Sequence, residues 1–593
     1  MIKKILLLYI IIIPFYANGQ ISYHLPKALI ITSGADLGRG TVSDGVVHAL
    51  QAFNKLGVFV RLENRKVLLQ TDVLTKYDIL IIPTIAGYHD NPQNFSLTYM
   101  SDTELKNIAR WVINGGTLVT DINIGRNTLK GKDRILKDGI LNANNWQLGK
   151  CFGVALKEMN TSDFYVKDTK MNIWQRYILK PKNKEMWRLT AIETAPNVKI
   201  LAEWQNKNSN YPALTLNKYG KGNAFLLPTF NMLHPASDGG LSNEKQINQF
   251  YELVYQTSIG KRNYEIQLLP WKNAHTSVYC QTFDDGGSAE EYERIFTFIR
   301  KNKLPTVFFI TPAVDKEIAQ KLKNDTLISI QGHSYNHPDF RKLDYFQTQN
   351  EFLMNRQFWK KNFTGFRFPY VSNSFWGMYL LNKLGFVYET SIAANNMEFI
   401  RGSVVPYNIP IFNNEFYCSL DLLEISQMYR SDWFFYQKVL KKEPYTKTEQ
   451  KQDAKKFETY LYKYFNEVVQ TNNGVMVFLG HPMYSGISNI TLQPLQDFVS
   501  FLKTQNVWVT SLNEAANRWN KLKNLKVEIE EKEQNVTINI DSNGELINGL
   551  TLIFNEKPKK IIYNKTHQLK EIEDKYYLVF DLDNKAKINI QFQ

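Results

Sequence analysis

The sequence predicts an α/β protein built from several units, and three observations predict it. Short apolar runs alternate with helical stretches from residue 26 to about 262, and the alternation restarts at Ser277 and continues to about residue 523. From about residue 524 to 593 the helical pattern stops, and short runs with strict apolar–polar alternation take over. The most distinctive polar clusters fall at the C-terminal ends of predicted strands between residues 263 and 523. In barrels of parallel strands and helices that rim is where active sites are built. With 593 residues, 44% hydrophobic and 22% charged, the chain is globular material with room for about four units of ~150 residues.

Residues 1–19 read as a cleavable secretory leader. Lys3 and Lys4 precede the apolar run Ile5 to Phe15, and Ala17-Asn18-Gly19 offers small residues for cleavage. The run falls short of the ~20 residues needed to span a bilayer, and no cysteine lies near the cleavage point to mark a lipoprotein. The expected location is a periplasm or the exterior, with no membrane span. Cys151, Cys280 and Cys418 are odd in number and far apart, which excludes a disulfide framework or a cysteine-based metal site. The formal charge of +14 is spread along the chain, which suits an anionic envelope polymer and a solvated surface equally. No nucleic-acid motif is present.

In residues 26–262 the strands are Lys27 to Thr32, Val58 to Val60, Asp78 to Pro83 and Gly116 to Asp121, with helices from Ser43 to Phe53 and Asp102 to Ile113, the latter capped by Ser101. This order predicts a doubly wound parallel sheet. It resembles the class I glutamine amidotransferase-like fold, a flavodoxin-like arrangement. Gly149-Lys150-Cys151-Phe152-Gly153 matches the offsets of that family's nucleophile turn. The preceding Asn142 to Gln147 is too polar for the buried strand such a turn needs, so Cys151 reads as structural. Tyr219 to Leu227 reads as a hairpin, and the domain as non-catalytic, architectural or glycan-contacting.

In residues 263–523 the strand Ser277 to Gln281 leads into Thr282-Phe283-Asp284-Asp285-Gly286. Two adjacent carboxylates raise each other's pKa unless a cation compensates, although a solvated turn would also account for them. Further elements follow in order: a helix from Ala289 to Asn302, strands Thr306 to Ile310 and Leu327 to Ile330, a helix from Phe346 to Lys361, a strand Gly365 to Tyr370, a helix from Met378 to Leu384, and strands Gly385 to Tyr388 and Val475 to Leu479. The rim then carries His333 and His337, at the spacing a helical turn places on one face, and His481. One Asp and two His suit Zn or a similar divalent ion with a position left open. Such an ion brings the pKa of a water it holds from ~15.7 to near ~7. A second carboxylate can take that proton, and a protonated His can supply one to a leaving group.

Thr282-Phe283-Asp284-Asp285-Gly286, His333-Ser334-Tyr335-Asn336-His337, Arg367-Phe368-Pro369-Tyr370 and Leu479-Gly480-His481 resemble, in order, four motifs of the polysaccharide deacetylases with a NodB homology domain, carbohydrate esterase family 4. The resemblance spans about residues 275 to 520 and implies a deformed (β/α)7 barrel. It implies Asp284 as general base, Asp285, His333 and His337 as ligands of a divalent ion, Zn2+ before others, and Arg367 as the holder of Asp284. The backbone N–H of Tyr370 would stabilise an oxyanion and His481 would protonate the leaving group. Leu479 would line the acetyl pocket, where one buried methyl is worth about 1 kcal/mol. Tyr335 and Phe368 would join it against the substrate.

One motif departs. The family's Asp-Trp pair, expected shortly after the strand ending at Tyr388, is replaced by Glu389-Thr390-Ser391-Ile392. Glu389 either braces Arg367 or lies on the surface, and Asp432-Trp433 falls far downstream, in an apparent insertion from about Ala393 to Pro444. That segment holds Phe412, Phe416, Tyr417, Trp433, Phe434, Phe435 and Tyr436, which either cap the rim against sugar rings or pack in the core. Residues 524–593 predict a small β-sandwich, for packing or spacing or for glycan binding. The resemblance implies a deacetylase of an acetylated polysaccharide or glycan. A silent glycan-binding scaffold and a hydrolase of another non-peptide C–N bond are the competing readings.

Overall fold

The computed structural model describes residues 21–592 apart from 33–43, 84–96, 131, 133, 135, 138–139, 142–145, 159–163, 169–176, 180–189, 206–209, 229, 234–242, 261, 395–401, 413–416 and 442–443. The expected leader, Phe416 and most of the polar stretch before Gly149 lie outside the described residues. No described helix is long and apolar enough to cross a membrane.

The described residues open with β1 (Ile21–His24), followed by β2 (Ala28–Ile31), α1 (Asp44–Lys55), β3 (Val60–Glu63), β4 (Ile79–Ile82), α2 (Asp102–Ile113) and β5 (Thr117–Asp121). Strand β3 thus begins where the sequence reading ended its strand. All residues of β2, β4 and β5 are buried, as strands covered on both faces require. Ser101 caps α2 in a capping box with Glu104. The sheet is mixed rather than the expected all-parallel one. Strands β6 (Phe164–Asp168), β7 (Tyr177–Leu179), β8 (Lys199–Gln205), β9 (Asn210–Tyr219) and β10 (Gly222–Leu227) extend it, among the described residues, to nine in the order β7-β6-β8-β9-β10-β5-β4-β2-β3. Only β10, β5, β4, β2 and β3 run parallel. The antiparallel part grows from the β9–β10 hairpin, whose connection is too short for a parallel crossover.

A second sheet holds the rim. After β11 (Ile266–Leu269), its members are β12 (Ser277–Asp284), β13 (Thr306–Ile310), β14 (Ile328–Gly332), β15 (Gly365–Phe366), β16 (Tyr388–Glu389), the pair β17 (Tyr407–Phe412) and β18 (Tyr417–Glu424), β19 (Val475–Gly480) and β20 (Val507–Thr510). Their order is β17-β18-β16-β15-β14-β13-β12-β19, with β20 also on β12. All neighbours are parallel except β17 and β18. The sheet curls until Gln427, just past β18, bridges Val477 of β19. Every residue of β12 and β13 is buried, and rings such as Phe283 and Phe308 stack within the curl. Each buried Phe contributes about 1.5–3 kcal/mol. Outside lie α3 (Ala289–Asn302), α4 (Tyr345–Trp359) and α5 (Phe375–Lys383). Strand β15 stops at Phe366, short of the predicted Tyr370, because a 3-10 turn at Pro369–Val371 follows.

The C-terminal strands are β21 (Lys526–Lys532), β22 (Asn535–Asp541), β23 (Ile547–Phe554), β24 (Pro558–Ile562), β25 (His567–Ile572), β26 (Lys575–Leu582) and β27 (Lys585–Phe592). They form two sheets, and each borrows a strand from far upstream: the orders are β1-β21-β22-β27-β24 and β11-β23-β26-β25. Glu531, fully buried, fixes both borrowed segments by accepting from the Tyr23 hydroxyl (3.0 Å) and the Asn263 and Tyr264 backbone N–H groups (2.7 and 3.3 Å). The first sheet meets the rim sheet through Asn408 of β17, whose amide pairs with both backbone groups of Leu62 in β3 (3.2 and 2.9 Å).

Candidate active site

Strand β12 ends on Asp284 at the rim and Asp285 follows in the bend after it, and the two acids reach different partners. The Asp284 carboxylate, 7% exposed, accepts from Arg367 Nη1 at 2.7 Å. Burial alone would raise its pKa, but Arg367, His333 and His481 outweigh it and hold the carboxyl below its ordinary value. Asp285 turns the other way, where its Oδ2 accepts from the backbone N–H of Thr311 (3.1 Å) and from the Thr311 hydroxyl. Thr311, directly after β13, is a holder of Asp285 that the sequence reading missed; its place at a strand end was the available signal.

His333 and His337 converge, but not on a helical turn as their spacing suggested. They flank a loop in which Ser334 and His337 have φ of 72° and 57°. His333 Nδ1–H donates to the Arg367 carbonyl oxygen (2.8 Å), which leaves Nε2 facing Asp285. One donor atom each from Asp285, His333 and His337 lie within 4.8 Å of one another. An oxygen and two imidazole nitrogens so gathered fit a divalent ion of the Zn kind. Burial and the neighbouring His333 lower the His337 pKa despite Asp285, which favours the neutral, ligating form.

Arg367 is fully buried, spends Nε on the Thr390 carbonyl (3.2 Å) and rests over the Phe309 ring at 4.3 Å. Tyr370, with φ of 55°, is 68% exposed and sets its ring edge-on to His337. Leu479, at the end of β19, lines the same cleft of about 880 Å³ as Asp284, Asp285, His333, His337, Tyr370 and His481. Two of the expected substrate contacts are not brought there. Phe368, between β15 and the 3-10 turn, is 1% exposed and packs on Phe340 and Phe366 at 4.9 Å each, which commits its ring to the core. Tyr335 is not among the residues that line the cleft; its backbone N–H donates to Glu351.

The Asp-Trp pair is the main correction. Asp432, set aside as part of an insertion, lies directly behind His481. Its Oδ1 accepts from His481 Nδ1–H (2.9 Å) and its Oδ2 from the His481 backbone N–H (2.8 Å) and the Ser485 hydroxyl (2.7 Å). Asp432 is fully buried, while Trp433, 45% exposed, lines the cleft. Burial would lower the His481 pKa, yet Asp432 and Asp284 overcome it and raise it. The dipeptide itself was the signal; its distance along the chain hid it. Within the supposed cap, Trp433 faces the cleft and Tyr436 is buried.

Glu389 does not lie on the surface, and among the described residues it makes no ion pair with Arg367, although the guanidinium's charge reaches it. It is fully buried and sits in register with Glu424 across β16 and β18. Burial, reinforced at Glu424 by the neighbouring carboxyl, raises both pKa values. Among the described residues, the ion pair of Arg367 is with Asp284. Cys151 is 1% exposed in the turn Gly149–Phe152, and burial pushes its thiol up to about 12, which suits a structural side chain.

Residues 272–388 match the family model described as polysaccharide deacetylase. Residues 51–258 match that of the β-galactosidase trimerisation domain, which does not support the amidotransferase resemblance drawn from the strand order. No curated protein matches the chain. Among solved structures, one of a novel carbohydrate deacetylase aligns over 97% of this chain and 99% of its own, at 9% identity and a TM-score of 0.39. A Mycobacterium smegmatis protein assigned as a polysaccharide deacetylase aligns over 43% of this chain and 93% of its own, at 17% identity and a TM-score of 0.36. An allantoinase aligns over 44% and 94%, at 13% identity and a TM-score of 0.34. Likenesses this low carry no argument about activity, which rests on the geometry and the matched domain.

Proposed function

We propose that the chain is a metal-dependent hydrolase that removes acetyl groups, N-acetyl before O-acetyl, from a polysaccharide. The supporting observation is the convergence, in one cleft, of an arginine-held carboxylate, an Asp-His-His cluster and a carboxylate-backed histidine. The polysaccharide deacetylase model matched over residues 272–388 supports the same reading.

Asp285, His333 and His337 would hold the divalent ion, Zn2+ in the first place, which when bound supplies an acidified water and polarises the acetyl carbonyl. Asp284, held in its ionised form by Arg367, takes the proton from the attacking water. His481, whose protonated form Asp432 favours, gives a proton to the departing amine. Leu479 packs against the acetyl methyl and the Tyr370 backbone N–H serves the developing oxyanion. Trp433 offers a ring face to the sugar.

The leader-like residues 1–19 support export to a periplasm or the exterior, where an envelope-associated or soluble polymer would be the substrate. In this reading the N-terminal and C-terminal units are packing and spacing modules rather than catalysts. The test is acetate release from a panel of acetylated polymers, with chelator and after Zn2+ is restored. Release that chelator leaves untouched defeats the metal reading, and no release from any polymer defeats the deacetylase reading.

A further inference from the structure

The loop between His333 and His337 has an unusual shape and an unusual support. Two non-glycine residues in left-handed conformation, Ser334 and His337, fold it back so that the two imidazoles come within 5.1 Å of each other. Such conformations cost on the order of 1–3 kcal/mol each and persist only where the surroundings impose them. The loop's own backbone offers little help: within it, the His337 N–H bonds the Ser334 hydroxyl at 3.1 Å. The rest comes from α4. Glu351 Oε2 accepts from the backbone N–H groups of Tyr335 (2.9 Å) and Asn336 (2.8 Å), and Oε1 from the Asn336 side-chain amide (2.7 Å). One turn further along the same helix face, Asn355 donates to the Ser334 carbonyl. Positions i and i+4 of one helix thus take hold of both the donors and the acceptor of the loop.

Glu351 is 7% exposed and does not line the cleft, so it touches neither substrate nor ion. A buried carboxylate is costly unless its lone pairs are filled, and here three donors fill them. We propose that Glu351 is a positioning residue that presets the His333–His337 pair, so that the two nitrogens meet Asp285 before any ion arrives. The inference rests on the proposed metal site. Its consequence is that ion affinity and coordination geometry depend on a residue outside the cleft, at a level of ~10–100-fold for such supporting groups.

The test uses the full chain stripped of metal, the variants E351A and E351Q, and Co2+ as probe, with affinity read against a competing chelator and geometry from the visible absorption bands. E351A is expected to lose ~10–100-fold in Co2+ affinity with altered bands. E351Q is expected to recover most of the loss, since an amide oxygen still accepts both backbone N–H groups and the Asn336 amide can turn to meet the new NH2. Hydrogen exchange without metal supplies a separate arm: the Tyr335 and Asn336 amides exchange faster in E351A. A folded E351A with unchanged affinity, bands and exchange overturns the inference, as does an E351Q no better than E351A. If the unaltered chain takes up neither Co2+ nor Zn2+, the metal reading itself falls, and this inference with it, whatever the exchange arm shows.

Discussion

Replacing Asp432 by Asn isolates the carboxylate that the chain's order conceals. The protonated form of His481 gains from this carboxylate what the neutral form does not. At a separation of ~4 Å and an effective dielectric of ~20 a unit charge pair is worth about 4 kcal/mol. At ~1.4 kcal/mol per tenfold, that places about three orders of magnitude on the step in which His481 carries the proton. The expected outcome for D432N is a fall in kcat of ~10²–10⁴ with KM little changed, because Asp432 is fully buried and touches no substrate. The pH profile carries the sign. Asp432 raises the His481 pKa, so its removal moves the alkaline limb of acetate release to lower pH and leaves the acid limb, set by Asp284, in place. Stability follows the same sign. The contribution of His481 is fully present below the pKa of an unfolded histidine and disappears as pH rises through the raised folded value, so the gap between the unaltered chain and D432N narrows with rising pH. Each carboxylate oxygen faces a backbone N–H, of His481 on one side and Trp433 on the other, so an amide NH2 meets a donor whichever way it turns. A cost of about 1–3 kcal/mol is expected and is checked by denaturant unfolding. A D432N protein with unaltered kcat and an unmoved alkaline limb would refute the reasoning.

Replacing Asp285 or His333 by Ala should abolish Zn2+ uptake and acetate release together, whereas D284N should keep Zn2+ uptake, measured by chelator competition, and lose ~10²–10⁴ in kcat; acetate release that survives both ligand changes would sink the mechanism. C151S should leave acetate release unchanged, since a thiol pushed up to about 12 is no nucleophile at neutral pH; loss of activity would reopen that turn as a second site. E531A removes the acceptor of three hydrogen bonds that bind β1 and the segment before β11 to the C-terminal sheets. At about 1.5–3 kcal/mol for each bond to a charged group it should lower the melting temperature sharply, and an unshifted melt would show the borrowed strands to be dispensable.

How much of this was legible in the sequence divides along the range of the forces involved. Local signals worked: the serine cap at Ser101 set the start of α2, and the apolar stretches of β12 and β13 became strands covered on both faces. Motifs with short internal spacing brought Asp284, Asp285, His333, His337 and His481 to one cleft, with Arg367 buried behind Asp284. The failures lie where a contact depends on the path of the chain. The strands lent to the C-terminal sheets pair residues hundreds of positions apart, as Ile21 does with Glu531. Asp432 was missed for the same reason. The rim fixes where a brace for His481 must stand in space, but not from which connection it must come. Here the chain leaves β16, makes the β17–β18 hairpin against Leu62, and bridges Val477 before it turns Asp432 behind His481. An inserted hairpin displaces a residue in sequence by tens of positions and need not displace it in space, because parallel neighbours return the chain to the same rim. The departure from the family pattern after Tyr388 is therefore a change of route. What stands at the vacated place, Glu389 facing Glu424, is a buried acid pair that feels the charge of Arg367 but, among the described residues, forms no ion pair with it.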